Sequence, residues 1–308
     1  MSGAAFYCVA DERYFLGLVG MLNSLRLLGH REPVYVLDAG LTRDQRELLA
    51  PHASVVAGDR ATAPWLAKTL APMRDPAEVM ILIDADMIVT RSLAELIAEA
   101  AAGRVIAFRN DRPRFVAQWG ELLELGTATP RPYVSSGLVV LGGETGSEVL
   151  RLLDDRQRRV DMDRTLFGRN EADYPFLYPE QDVLNAILCT RVDADRVDAL
   201  ENRLAPNPPF AGLRLADEAT LRCEYADATQ PYVLHHFHRK PWLAPMYHGL
   251  FSRLLARLLL GPDVALRPPA DQVPLRMRRG PIARVERARV DVVDVFRRYV
   301  LHRTGAAL

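Results

Sequence analysis

The sequence predicts an α/β protein built on a doubly wound, mostly parallel sheet. Three observations predict it. Short apolar strands alternate with stretches of helical periodicity through the first part of the chain. The fourth of those strands, "VMILIDAD" (79–86), is apolar enough to be covered on both faces. Its carboxyl end carries Asp84 and Asp86, at the place where open α/β sheets gather ligands.

The elements follow in order. "FYCVA" (6–10) is a short apolar strand. From Tyr14 to Gly29 a helical stripe runs through Phe15, Leu18, Leu22, Leu25 and Leu28 and stops at the glycine. "PVYVLDA" (33–39) is the second strand. Thr42 is an N-cap, and Gln45 three residues later completes a capping box ahead of "RELLA". "ASVVA" (53–57) is the third strand, followed by a short helix from Trp65 to Met73. Beyond the fourth strand, "RVIAF" (104–108) and "YVSSGLVVLGG" (133–143) read as strands around a helix near 114–125. "EQDVLNAILC" (180–189) reads as a helix and "PYVLHHF" (231–237) as a late strand. From Gly261 to Pro281, both included, five prolines break any regular element, so this stretch reads as a linker. Residues 281–302 form an amphipathic helix with Ile282, Val285, Val292, Phe296 and Tyr299 on one stripe.

A length of 308 residues suits one large α/β domain, or a domain with an appendage. Zero net charge hides an uneven distribution. From Phe251 onward there are 12 Arg and no Lys against 5 Asp or Glu, so the preceding part is mildly acidic. The 3 cysteines (Cys8, Cys189, Cys223) are scattered without metal spacing and read as reduced, buried thiols of a cytoplasmic protein. The opening residues lack the basic and apolar regions of a secretory signal, and no apolar run approaches the roughly 18 residues that span a bilayer. The chain is expected to be soluble, or at most peripheral on the inner face of a membrane.

Burying a bare carboxylate costs several kcal/mol (on the order of 3–5) unless it is paired or bound to a cation. Carboxylates at i and i+2 after a strand can both reach one hard cation, so Asp84-Ala85-Asp86 is a natural divalent-metal site. The alternative is that one aspartate caps the helix beginning near Ser92 or forms a turn. "HHFHRKPW" (235–242) gathers three of the chain's 7 histidines beside Lys240. Imidazole can complete a Mn²⁺-type coordination shell, and lysine donates to phosphate oxygens as a point charge.

These motifs resemble a family. The sequence is similar to retaining glycosyltransferases of the GT-A fold, and within them to family 8, which contains glycogenin and bacterial lipopolysaccharide galactosyl- and glucosyltransferases. "VADERYFLGLVGMLNSLR" (9–26) resembles the family's nucleotide-binding opening, "LIDADMIV" (82–89) its metal motif and "YVSSGLVVL" (133–141) its Asn/Ser-Gly strand. "EQDVLN" (180–185) resembles its Asp-Gln helix start, with Glu180 for the usual Asp, and "HHFHRKPW" its closing His…Lys-Pro-Trp. The resemblance spans residues 6–242. It also makes the two lysines informative. The family places a basic residue some sixteen positions before the first motif aspartate, where Lys68 stands, and a second lysine before Pro-Trp, where Lys240 stands.

The resemblance implies a GT-A fold over residues 1–250, a Rossmann-like, mostly parallel central sheet flanked by helices. A basic, proline-interrupted helical C-terminal extension occupies 251–308. It implies transfer of a hexose, glucose or galactose, from a UDP-sugar to a hydroxyl acceptor (a glycan, a lipid-linked sugar or a protein) in bacterial glycan synthesis, with retention. Asp84, Asp86 and His236 would hold Mn²⁺ (or Mg²⁺). His236 is favoured over His235 because the family's histidine is commonly followed by an aromatic, here Phe237. Ala10, Asp11 and Tyr14 would hold the nucleoside, with Lys68, Asp84, Ala85, Asp111, Ser136 and Lys240 along the donor. Gln181, flanked by Glu180 and Asp182, would act at the sugar, its amide carbonyl steadying an oxocarbenium-like centre.

Two other readings stay open. A non-catalytic sugar-nucleotide-binding or scaffold protein would share the fold. Haloacid-dehalogenase-type phosphatases also use Asp-x-Asp after an apolar strand, though usually followed by Gly-Thr, where Met87 and Ile88 stand here. The basic helix after 281 suits either an anionic membrane surface or packing on the body or a dimer partner. Nucleic acid is not an expected partner.

Overall fold

The computed structural model describes residues 3–58, 66–237, 239–244, 249–289 and 292. The elements run β1 (Ala4–Ala10), α1 (Phe15–Leu27), β2 (Val34–Asp38), α2 (Arg43–Leu49), β3 (Ser54–Ala57), α3 (Leu70–Arg74), β4 (Val79–Ile83), β5 (Met87–Val89) and α4 (Ala94–Ala100). They continue as β6 (Val105–Arg109), α5 (Trp119–Leu122), β7 (Val134–Gly142), α6 (Gly143–Gln157), α7 (Pro179–Thr190), β8 (Val197–Leu200), β9 (Arg214–Asp217), β10 (Arg222–Glu224), β11 (Val233–His235) and α8 (Gly249–Leu260). The chain divides into two units. One draws on residues 1–12, 31–85 and 93–205, the other on 13–30, 86–92 and 206–308. Residues 251–308 fall in the same compact unit as 206–250.

The first unit is an α/β layer structure around a 7-stranded sheet of order β3-β2-β1-β4-β7-β6-β8. The pairs β3–β2, β2–β1, β1–β4 and β6–β8 are parallel. β7 runs antiparallel to both its neighbours, β4 and β6. Between β6 and β7 the helix expected near 114–125 shrinks to the four residues of α5, so no long helix carries the chain back for a parallel return. All five side chains of β4 are buried, as its unbroken apolar sequence requires. The capping box at α2 forms as its sequence predicts: Thr42 Oγ accepts from the Gln45 N–H (3.2 Å) while Gln45 Oε1 accepts from the Thr42 N–H (3.0 Å).

Gly142 sits where β7 turns into α6. A Cβ there would lie 1.7 Å from the Ala100 carbonyl oxygen, so only glycine lets the main chain after α4 come this close.

The register of β6 against β7 slips between Ala107, opposite Val139, and Phe108, opposite Ser135. Residues 136–138 are thereby left without partners on β6, which frees Ser136 main-chain groups for other bonds.

The second unit is built around α1. Every residue from Phe15 to Leu25 is buried, so the helix is enclosed all round rather than amphipathic. It packs on α8 and β5. A Cβ on Gly20 would fall 2.5 Å from Leu255 Cδ1, which records how closely α8 approaches. Two short antiparallel pairs, β11–β5 and β10–β9, complete the regular structure.

The proline-rich stretch expected as a linker lacks regular elements apart from a short 3₁₀ turn at Leu275–Met277, yet it is docked. Leu266, Val273 and Met277 are buried. The fully buried Asn23 of α1 ties it down: Nδ2 donates to the carbonyls of Leu258 (2.8 Å) and Leu266 (2.7 Å), and Oδ1 accepts from the Leu266 N–H (2.9 Å). Backbone from 281 to 289 is helical, and Ile282, Val285 and Val292 are exposed. Phe296 and Tyr299 of the expected stripe lie outside the described residues, as does Trp65. The three cysteines are free and buried. Among the described residues no helix is long and apolar enough to cross a membrane.

Candidate active site

The strand expected over 79–86 stops at Ile83, and the two aspartates occupy the turn that follows. The Asp84 N–H still bonds to the Gly137 carbonyl (2.9 Å), so the turn leaves the sheet edge in a fixed direction. Asp86 precedes β5, which pairs with β11 and not with the large sheet.

On the first unit, Lys68 is the hub. It lies just before α3 and is 5% exposed. Its ammonium donates to the Ser136 carbonyl (2.8 Å) and pairs with Asp84 Oδ1 (2.6 Å) and Glu180 Oε1 (3.1 Å). Three acceptors match three N–H donors. Burial by itself would lower the Lys68 pKa, but the two carboxylates outweigh it and raise it well above the usual lysine range. Glu180 is pushed up to about 7 by burial, with Asp84 adding to the rise and Lys68 opposing it.

Glu180, Gln181 and Asp182 occupy the first turn of α7, where Pro179 starts the helix and acidic side chains suit its positive end. Gln181 is held at both ends of its amide: Nε2 donates to Tyr133 Oη (2.9 Å), and Oε1 accepts from the Ser136 N–H (3.3 Å). That second bond uses the main-chain group released by the register slip in β7.

Asp182 differs from its expected place in the catalytic group. It is fully buried, accepting from Tyr133 Oη (2.7 Å), the Tyr178 N–H (2.8 Å) and Arg114 Nε (3.1 Å). Burial pushes its carboxyl up to about 6 despite these donors. It is an anchor beneath the site, because no face remains open for a substrate. Asn185, one turn further on, bonds both the N–H and the carbonyl of Val134 (2.8 Å each) and fixes α7 against β7.

On the second unit, Asp86 is 5% exposed. Its Oδ2 pairs with Lys240 Nζ, and its Oδ1 lies 3.3 Å from His235 Nε2. Burial would raise its pKa, but His235 and then Lys240 hold it below the usual carboxylate range. Lys240 also donates to the His236 carbonyl (2.6 Å) and sits 5.5 Å from the centre of the Tyr14 ring. Tyr14 meets Trp242 edge-on (6.3 Å), and Trp242 Nε1 donates to the Arg13 carbonyl (2.7 Å). The opening motif and the closing Lys-Pro-Trp thus come together within one unit.

The histidine facing Asp86 is His235, whereas the sequence favours His236. Successive side chains of an extended segment point to opposite sides. The His236 ring turns onto Phe251 (5.0 Å) and Phe210 (6.3 Å), while its N–H bonds the Asp86 carbonyl (3.0 Å). Its neighbour is left to face the carboxylate. In the second unit Asp86 and His235 face each other, and Asp84 stands two residues before Asp86 in the same turn. Two carboxylates and an imidazole form a donor set suited to Mn²⁺ or Mg²⁺. Asp86 Oδ1 is buried and, 3.3 Å from His235 Nε2, stands beside the imidazole that would share a cation with it.

Ala10 and Ala85 are buried and Asp11 is half-buried, whereas Asp111 lies exposed in the loop after β6. Tyr133, Arg114 and Asn185 belong to the site's framework without being singled out in the sequence. Tyr133 and Asn185 stand inside recognised motifs. Arg114 has no local signal, because its partner is 68 residues away.

No protein-family model matches the chain, and no curated protein matches it. Solved structures do. The chain matches WbbM, a bifunctional glycosyltransferase, at a TM-score of 0.55 and 15% identity, over 86% of this chain and 50% of that one. It matches the galactosyltransferase LgtC, solved with donor and acceptor sugar analogues, at 0.51 and 16%, over 84% of this chain and 98% of LgtC. GlyE of Streptococcus pneumoniae TIGR4, also a glycosyltransferase, matches at 0.53 and 15%, over 84% of this chain and 61% of GlyE. The fold is the glycosyltransferase fold. It is the GT-A arrangement that the motifs imply, and the chain spans half the length of WbbM and nearly all of LgtC.

Proposed function

We propose that the protein is a metal-dependent glycosyltransferase that moves a hexose from a UDP-sugar to a hydroxyl acceptor with retention at the anomeric carbon. The observation that carries this reading is the Asp-x-Asp turn, with His235 and Lys240 facing its second carboxylate, in a chain with a glycosyltransferase fold. LgtC binds a donor and an acceptor sugar analogue, and one of its solved forms is an active-site mutant, which supports the same class of reaction here.

Asp84, Asp86 and His235 would hold the metal, which when bound would supply Lewis-acid charge for the donor's diphosphate. The protein's own residues do the rest. Lys240 donates to the departing diphosphate, and Tyr14 offers its ring to the base. Lys68 orients Asp84 and Glu180, and Glu180 receives a sugar hydroxyl. Gln181, clamped by Ser136 and Tyr133, presents an amide fixed before substrate arrives. An amide is a poor covalent nucleophile, so the acceptor attacks from the face the leaving diphosphate occupies. Glucose and galactose are the donors the motifs favour.

Calorimetric titration of UDP and UDP-sugars, with Mn²⁺ and with EDTA, tests the reading on wild type and Asp86→Ala. Metal-dependent UDP binding that disappears in the variant is expected, and the tightest sugar names the donor. UDP binding that ignores both metal and variant would overturn the site. Binding without turnover on any acceptor would turn the reading to a sugar-nucleotide-binding protein.

A further inference from the structure

Apart from every residue assigned above, the second unit contains a pocket of about 470 Å³. Its wall carries six arginines, Arg253, Arg257, Arg278, Arg279, Arg284 and Arg287, and a single carboxylate, Glu218. Six positive groups against one negative group leave a net +5 on the lining. Arg253 takes the carboxylate (Nε to Glu218 Oε2, 2.7 Å), and Arg257 pairs with Asp263 (2.7 Å). Arg278 donates to the carbonyls of Val273 (2.7 Å) and Asp271 (3.1 Å), and Arg287 to those of Arg276 and Arg278 (3.0 Å each). Neutral carbonyl acceptors hold the Arg278 guanidinium without cancelling its charge.

The Arg257 side chain is 9% exposed, and its Nη1 has no hydrogen-bond partner.

We propose that this pocket binds a phosphate-bearing anion of diphosphate size, at a site separate from the Asp-x-Asp turn. Like charges held together in one cavity repel, and an anion relieves the repulsion. Guanidinium groups match phosphate oxygens two bonds at a time, which a point charge such as lysine cannot do. The volume is that of a small-molecule site. A surplus of several charges suits a diphosphate better than a single carboxylate. Such a group comes either free in solution or as the headgroup of a lipid carrier, and the pocket chemistry is the same for both.

The test is calorimetric titration of inorganic pyrophosphate into the full chain in EDTA, which removes any contribution from a metal. Vesicle sedimentation with phosphatidic acid, against phosphatidylcholine alone, forms the second arm. Wild type, Asp86→Ala and the double variant Arg279→Gln/Arg284→Gln are compared. Arg279 and Arg284 are exposed and make no side-chain hydrogen bond among the described residues, so removing their charge leaves the fold intact.

Pyrophosphate is expected to bind wild type and Asp86→Ala alike and the arginine variant about tenfold more weakly. Co-sedimentation with phosphatidic acid that the arginine variant loses assigns a lipid-borne ligand. Pyrophosphate binding without co-sedimentation assigns a soluble one. The proposal is overturned if neither probe depends on Arg279 and Arg284, or if Asp86→Ala alone abolishes binding. Because EDTA is present throughout, failure here leaves the glycosyltransferase reading untouched.

Discussion

Lys68 holds two acidic side chains that would otherwise share a buried corner. Taking away one partner of a buried ion pair costs about 3–5 kcal/mol, since the remaining charge keeps its desolvation penalty. Lys68→Met should therefore destabilise the protein by that amount in urea unfolding. Asp182 provides a pH-dependent counterpart. Its folded pKa, about 6, lies above the ordinary 3.8, so the folded state binds the proton more tightly. Stability from this group is fully present below the unfolded value and is lost as pH rises through the folded one. Wild type should thus gain stability relative to Asp182→Asn as pH falls from neutral to about 4, by a few kcal/mol at most (roughly 1–3). A difference between the two proteins that stays flat over this range would count against a raised Asp182. The sequence pointed to Lys68, Glu180, Gln181 and Lys240 because they stand in motifs with fixed spacing. It favours His236 over His235, whereas His235 is the one that faces Asp86, because the Phe251 and Phe210 rings receive His236.

At the scale of elements, the local signals were faithful where the chain satisfies itself locally. The α2 capping box is one case, and Thr42→Ala should cost about 1 kcal/mol by chemical denaturation, with the β-strands undisturbed. The apolar run of β4 is another. What local patterns could not show was direction. Nothing in "YVSSGLVVLGG" distinguishes a strand running antiparallel to β4 from one running with it. The pattern also concealed the end of β4, because Met87, Ile88 and Val89 continue the apolar sequence while pairing with a different partner, β11. The slip between β6 and β7 is equally invisible, although it gives Ser136 the free carbonyl and N–H that Lys68 and Gln181 use.

At the scale of the whole molecule, the interleaving of the two units was not legible, since prolines predict irregular backbone but not where that backbone docks. The stretch from 261 to 281 reads as a tether and is in fact part of the wall around α1. Asn23→Ala would leave the Leu266 N–H and two carbonyls without partners in a dry interior. At about 1–3 kcal/mol for each such group, the loss should exceed that of any single surface substitution. A melting temperature equal to wild type would show that this clamp carries no weight.

That clamp also fixes an order of events during synthesis. Asn23 and Leu266 are 243 residues apart, and chains generally begin folding from the end made first. The helix at Phe15–Leu27, buried on every side in the fold, is made long before the polar partners of Asn23 at Leu258 and Leu266. Until then a large greasy surface is open to chaperones and proteases. A nascent protein stalled before residue 266 should therefore be degraded rather than stored, and shortened versions that stop in the proline-rich stretch should be found in the insoluble fraction.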